Sequence, residues 1–122
     1  MTERRIGIIM HGVTGRMGYN QHLVRSILAI REQGGLALAN GDRLLPDPML
    51  VGRDGDKLER IARRHGLTRW TTDLGAALAN RDDTIFFDAG TTQMRASLIG
   101  KALDAGKHVY CEKPVSDDLD SA

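Results

Sequence analysis

Short apolar runs alternate along this chain with longer stretches in which apolar residues recur at helical spacing. Residues 4–10 hold a near-continuous run through Ile6, Ile8 and Ile9, the pattern of a strand covered on both faces. From about Arg16 to Gln33, Leu23, Ile27 and Ile30 fall on one stripe with Val24 and Leu28 beside it, which predicts a helix. Gly34-Gly35 stops it. Residues 36–47 carry a turn signal at Gly41-Asp42 and the helix-blocking Pro46-Asp-Pro48; they read as a surface loop with room for a short hairpin. Strand two is then Met49–Val51, and a helix over about Asp56–His65 follows, with Leu58, Ile61 and Ala62 in step and Gly66 as its stop. Thr68–Trp70 reads as strand three, with Trp70 in the core or as a cover over the helix. Thr72 or Asp73 caps a short helix through Asn80. Thr84–Asp88 reads as strand four, a helix over about Gln93–Ala105 follows, and His108–Cys111 is strand five. Ser116 then looks like the N-cap of another helix, with Asp117 and Asp118 in its first turn.

Strands alternating with helices predict a doubly wound α/β fold, a parallel sheet with helices on both faces. Right-handed crossovers give it the strand order 3-2-1-4-5. Ligands of such sheets bind outside the carboxyl ends of the strands. Those ends are Gly12–Gly18, Gly52–Asp54, Ala89–Thr92 and Glu112–Pro114, so four separate segments converge on one crevice.

The first segment is the most telling. The apolar run ends in Gly12-Val-Thr-Gly-Arg-Met-Gly18 and a helix opens at once. Strand, glycine turn and helix form the start of a dinucleotide-binding βαβ unit, whose glycines allow a sharp turn, close approach of a pyrophosphate and tight helix–strand packing. The new helix offers unpaired N–H groups and the positive end of its dipole to phosphate. The usual spacing is G-x-G-x-x-G, and Val13 sits where its first glycine would be. A ligand-free glycine turn is the alternative, since 14 glycines in 122 residues make chance patterns. The backbone and side chains of Gly12, Val13, Thr14, Gly15, Arg16, Met17 and Gly18 are the candidate diphosphate cradle.

The end of strand two chooses between the nicotinamide cofactors. An acid there binds an adenine ribose diol and repels a 2′-phosphate; here the position holds Gly52, followed by Arg53. A small residue and a guanidinium favour NADP(H) over NAD(H). Asp54, one residue on, is either a helix cap or the ribose acid of a shifted alignment. Gly18 and Gly52 are also further apart than the usual spacing of about 20 residues, so the alignment needs residues 36–47 as an insertion. Ala89, Gly90 and Thr91 would line the crevice after strand four. Lys113, beside Glu112 and held by Pro114, could donate a proton or hydrogen bond as hydride leaves or arrives; a solvated Glu–Lys pair is the alternative. Cys111 reads as a buried apolar residue without a base to activate it. His11 precedes the turn and packs or meets solvent. The histidines show no metal-ligand spacing.

Composition narrows the class. At 122 residues the length suits one domain. Seventeen basic and sixteen acidic residues leave a net charge of +1, with no basic block, which argues against nucleic acid as a partner. One cysteine permits no internal disulfide and fits a reducing, cytoplasmic setting. The longest apolar runs fall far short of a membrane span.

At Ala105-Gly-Lys-His-Val-Tyr-Cys-Glu-Lys-Pro-Val115 the chain closely resembles the A-G-K-H-V-x-x-E-K-P signature of the Gfo/Idh/MocA family of NAD(P)-dependent oxidoreductases. The resemblance extends to the glycine turn, to Val51-Gly-Arg-Asp54 with Lys57-Leu58, and to Thr71-Thr-Asp73. It implies a Rossmann domain over residues 1–115, with 116–122 opening the following helix. A sixth strand and a substrate domain, which in relatives carries a histidine–aspartate pair and the oligomer interface, are not in the sequence. The resemblance puts the family's lysine at Lys113, beside nicotinamide and substrate, with Glu112 and Pro114 shaping that pocket. It implies hydride transfer between a nicotinamide dinucleotide and a sugar, polyol or related small molecule. Relatives often have proline and histidine after strand four; here the segment is Ala89-Gly-Thr-Thr-Gln-Met-Arg95. Without a sixth strand, strand five would be a sheet edge open to pairing with another chain, which leaves room for a homo-oligomer without fixing the oligomeric state. Dihydrodipicolinate reductase has a similar opening turn, but Glu112-Lys-Pro114 speaks against it. A non-catalytic nucleotide-binding or interaction domain is the rival from another class.

Overall fold

The computed structural model describes residues 3–15, 18–90 and 92–111. Strand β1 (Glu3–His11) lies at the centre of the sheet. The first helix, α1, has wide π-type turns over Gly18–Leu28 and tightens to α geometry over Ala29–Glu32. Gly34 and Gly35, with φ of 92° and 99°, end it as expected. There follow β2 (Leu36–Ala37), β3 (Arg43–Val51), α2 (Gly55–Arg64), β4 (Trp70–Thr71), α3 (Leu74–Ala79), β5 (Asp83–Asp88), α4 (Thr92–Asp104) and β6 (His108–Cys111). The pairings β4–β3, β3–β1, β1–β5 and β5–β6 are all parallel. The predicted order 3-2-1-4-5 is therefore realised as β4-β3-β1-β5-β6.

The two-residue period of β1 divides the core. Ile8 and Met10 face one side with Leu23, Leu50, Leu58 and Phe87, under α1 and α2. Ile9 faces the other with Val51, Phe86, Leu98 and Ala102, under α3 and α4. Asp73 caps α3 by accepting from Ala76 N–H at 3.0 Å, and Trp70 covers the start of α2, where a Cβ on Gly55 would lie 3.4 Å from its ring.

One expectation is corrected. Residues 43–47 are not loop: they are the first half of a nine-residue strand paired along its length with β1, from Glu3↔Arg43 to His11↔Val51. Two prolines survive there because of the edge they face. Leu50 N–H bonds Arg69 O on the side away from β1, so by the same period Pro46 and Pro48 turn their missing N–H groups outward too. Among the described residues that outer edge is paired only at its ends, by β2 opposite Arg43–Leu44 and by β4 opposite Leu50–Val51. Arg31 fills the interval by donating to Pro46 O at 2.7 Å. The short hairpin is present as β2 and the start of β3, closed by Leu38 N–H to Asp42 O at 2.7 Å. It absorbs the extra length between Gly18 and Gly52.

The amino ends of the strands are stapled by charge. Asp83, fully buried, accepts from Arg69 at 2.8 and 2.9 Å and from Arg5 at 3.1 Å. Arg5 also donates to Asp47 at 2.5 Å. Burial alone would raise the Asp83 pKa, but the bonds and charges of Arg69 and Arg5 outweigh it and hold the carboxyl below its usual 3.8. Gly7 leaves room for this carboxylate, since a Cβ there would lie 2.0 Å from Asp83 Oδ1.

Candidate functional site

The carboxyl ends of β1, β3 and β5 come together as predicted, and the glycine turn sits at the end of the central strand. Gly12 has φ of 85°, the left-handed region that glycine occupies freely. A Cβ there would lie 2.3 Å from Gly90 N and 2.4 Å from the Ala89 carbonyl carbon, so the first turn and the loop after β5 pack backbone to backbone. Ala89 N–H donates to His11 O at 2.9 Å and joins them further. Gly15 N–H closes the turn on Gly12 O at 3.1 Å, and Tyr19 N–H begins the helix on Gly15 O at 2.8 Å. Gly15 itself is exposed, and among the described residues the neighbour a Cβ would meet is the turn's own Gly12 O at 3.4 Å. Backbone is thus open to a ligand where a diphosphate would lie. The Val13 side chain is fully buried in the core, so only its backbone is left for a ligand. Thr14 is half-buried and Gly18 begins the helix.

Sequence reasoning missed the charged cluster under this turn. Asp88, fully buried at the end of β5, accepts from His11 Nδ1 at 2.8 Å, Gly90 N–H at 2.9 Å and Arg95 Nε at 3.0 Å. Arg95 also donates to Gly90 O at 2.8 Å, so both polar groups of Gly90 are held. Burial by itself would raise the Asp88 pKa; the bonds from His11, Gly90 and Arg95 prevail and keep it below 3.8. An ionised carboxylate only accepts, so Nδ1 is the protonated nitrogen of His11. The available signal was a carboxylate ending an otherwise apolar strand, which needs partners when buried. His11 is therefore neither simple packing nor a solvent contact.

At the end of β3, Gly52 is half-buried and Arg53 exposed. Asp54 is the N-cap of α2, accepting from Lys57 N–H at 3.2 Å. A Cβ at Gly52 would meet Leu58 at 3.5 Å, an ordinary contact, and its φ is not positive. Packing therefore does not exclude an acid from this position. His65 caps the other end of α2, and its Nε2 meets Tyr19 Oη at 2.8 Å. Cys111 is half-buried rather than enclosed, because among the described residues β6 pairs only with β5. Arg16, Met17, Thr91, Glu112, Lys113 and Pro114 lie outside the described residues, as does the helix expected from Ser116. No described helix is long and apolar enough to cross a membrane.

A parallel sheet whose central strand delivers a glycine turn to the switch point between β3 and β5 defines the class of dinucleotide-binding α/β domains. Known proteins make this more specific. The chain is 44% identical over 117 residues to a D-xylose dehydrogenase of Paenarthrobacter nicotinovorans, covering 96% of this chain and 30% of that protein. Among solved structures, it aligns with a levoglucosan dehydrogenase in complex with NADH at a TM-score of 0.72, 23% identity, 93% of this chain and 29% of that one. With scyllo-inositol dehydrogenase of Lactobacillus casei the TM-score is 0.70, at 23% identity, over 99% of this chain and 32% of that one. No protein-family model matches the chain. The chain belongs to the Gfo/Idh/MocA family of NAD(P)-dependent oxidoreductases, and spans about 30% of the length of the curated relative.

Proposed function

We propose that this chain is the cofactor-binding part of an oxidoreductase that moves hydride between a nicotinamide dinucleotide and a sugar, polyol or related hydroxy or carbonyl compound. The observation that carries this reading is the glycine turn at the end of β1, exposed at Gly15 and fixed against Ala89–Gly90 by close backbone contact. The relative's name, D-xylose dehydrogenase, supports the substrate class. The nicotinamide supplies the hydride chemistry. The chain's own work is to bind and orient: turn amides and the start of α1 hold phosphate, and Lys113 carries a proton to or from the substrate oxygen. Glu112 and Pro114 shape the pocket beside it. Substrate contacts come from a further domain, and NADP(H) is favoured over NAD(H) because Gly52 and Arg53 replace the ribose-binding acid. The protein works in the cytoplasm and self-associates.

Titration of the 122-residue chain with NADPH and with NADH tests this. Weak binding of at least one, with little turnover of any sugar, is expected. Absence of binding by both would favour a non-catalytic interaction domain, and robust dehydrogenase activity from this chain would overturn the need for a second domain. Arg53→Ala is expected to weaken NADPH more than NADH; equal affinities for wild type and variant would remove Arg53 from cofactor choice.

A further inference from the structure

His11 ends β1, in register with Val51 of β3 and Asp88 of β5. Its ring leans towards β5, where Nδ1–H donates to the buried Asp88 carboxylate at 2.8 Å. Gly90 leaves space for that ring, since a Cβ there would lie 2.9 Å from both Cε1 and Nδ1. Neutralising Asp88 does not require His11, because Arg95, itself buried, already pairs with the same carboxylate at 3.0 Å. What the bond fixes is the imidazole. With Nδ1 committed as donor, the neutral ring carries its free lone pair on Nε2. Among the described residues Nε2 has no hydrogen-bond partner, and it is not sealed from solvent. The side chain keeps 13% of its surface open, at the carboxyl end of the central strand and one residue before the glycine turn. A buried carboxylate that sets the orientation and tautomer of a histidine leaves the far nitrogen aimed at whatever binds there.

The group that meets this lone pair must be a hydrogen-bond donor. A diphosphate linking two sugars only accepts, so it is not the partner. The sugars on either side of it carry hydroxyls and can donate. On the dinucleotide reading the adenosine ribose goes to the end of β3, at Gly52–Asp54. The opposite ribose then lies on the β5 side of the turn, the side to which His11 leans.

Resting on that dinucleotide reading, we propose that His11 is a cofactor-contacting residue, whose Nε2 accepts a hydrogen bond from a hydroxyl of the nicotinamide-side ribose. Asp88 is its positioning residue, holding ring and tautomer from beneath. The contact concerns the half of the cofactor away from Gly52 and Arg53, and it is the same for NADH and NADPH.

The test is a titration of the full chain with 5′-ADP, ADP-ribose, NADH and NADPH, for wild type and for His11→Asn. ADP-ribose carries the diphosphate and the second ribose, whereas 5′-ADP ends at the diphosphate. Asparagine reaches only as far as Nδ1 of histidine, so its amide can keep the bond to Asp88 while nothing stands in the place of Nε2. His11→Asn is expected to lose about three- to tenfold in affinity for ADP-ribose and for both dinucleotides, the contribution of one hydrogen bond. For 5′-ADP, which cannot make that bond, the loss should stay below about twofold, and the NADPH-to-NADH ratio should match wild type. A second measurement needs no variant: the His11 Nε2 resonance of the labelled wild-type chain should move with ADP-ribose and stay in place with 5′-ADP. Equal losses for 5′-ADP and ADP-ribose, unchanged affinity for ADP-ribose, or an Nε2 resonance unmoved at saturating ADP-ribose would each overturn the ribose contact and leave the dinucleotide reading standing. Failure of wild type to bind any of the four ligands would overturn both.

Discussion

Gly12 is the residue on which the site's geometry turns. Its φ of 85° and the 2.3 Å approach of Gly90 N forbid a side chain twice over, once by backbone strain and once by space. Gly12→Ala should therefore cost about 2–4 kcal/mol of stability and separate the first turn from the loop after β5; a melting temperature within a degree of wild type would refute the close approach. Gly52 is the opposite case. Neither conformation nor packing requires glycine there, so an acid can be placed at this position to test the proposed cofactor choice. Gly52→Asp should fold normally and move preference from NADPH towards NADH, because a carboxylate binds a ribose diol and repels a 2′-phosphate; paired isotherms for the two cofactors read the change. These two glycines look alike in the sequence, and only the coordinates separate the one demanded by sterics from the one left free.

At the scale of elements, the strands, helices and their order were legible because each apolar run and helical stripe had one consistent partner face. Ile8 and Met10 against Ile9, and Leu98 with Ala102, are visible as periodicity. What was not legible depended on partners distant in the chain. Pro46 and Pro48 argue against a strand until one knows that they face a gap in the outer edge. Asp88 and His11 are 77 residues apart and meet only once β1 and β5 are side by side. The same is true of Asp83, whose partners Arg5 and Arg69 come from other segments. Both aspartates have folded-state pKa values below 3.8. A depressed carboxylate stabilises the fold fully above its unfolded pKa and loses that contribution as pH falls through the folded value. Melting temperature should thus stay level from neutral pH down to about pH 5 and fall below about pH 4. Asp83→Asn should lower stability at neutral pH by roughly 3 kcal/mol, since it leaves Arg69 and Arg5 without their buried counter-charge, and should flatten the acid limb. A variant as stable as wild type at pH 7 would mean that the staple contributes nothing.

For the whole molecule, the sheet assigns different tasks to its two ends. Amino ends are closed by Arg5, Arg69, Asp47 and Asp83 and serve stability. Carboxyl ends hold a glycine turn and a locked loop, where the proposed cofactor would bind. The direct measurement is backbone amide NMR of the isotopically labelled chain during titration with NADPH. Chemical-shift changes are predicted at Gly12–Gly15, Gly52–Asp54 and Ala89–Gly90, with the amides around Arg5, Asp47 and Asp83 unmoved. Saturating NADPH that leaves the Gly12–Gly15 amides in place, or that shifts only the amino end of the sheet, would contradict the account.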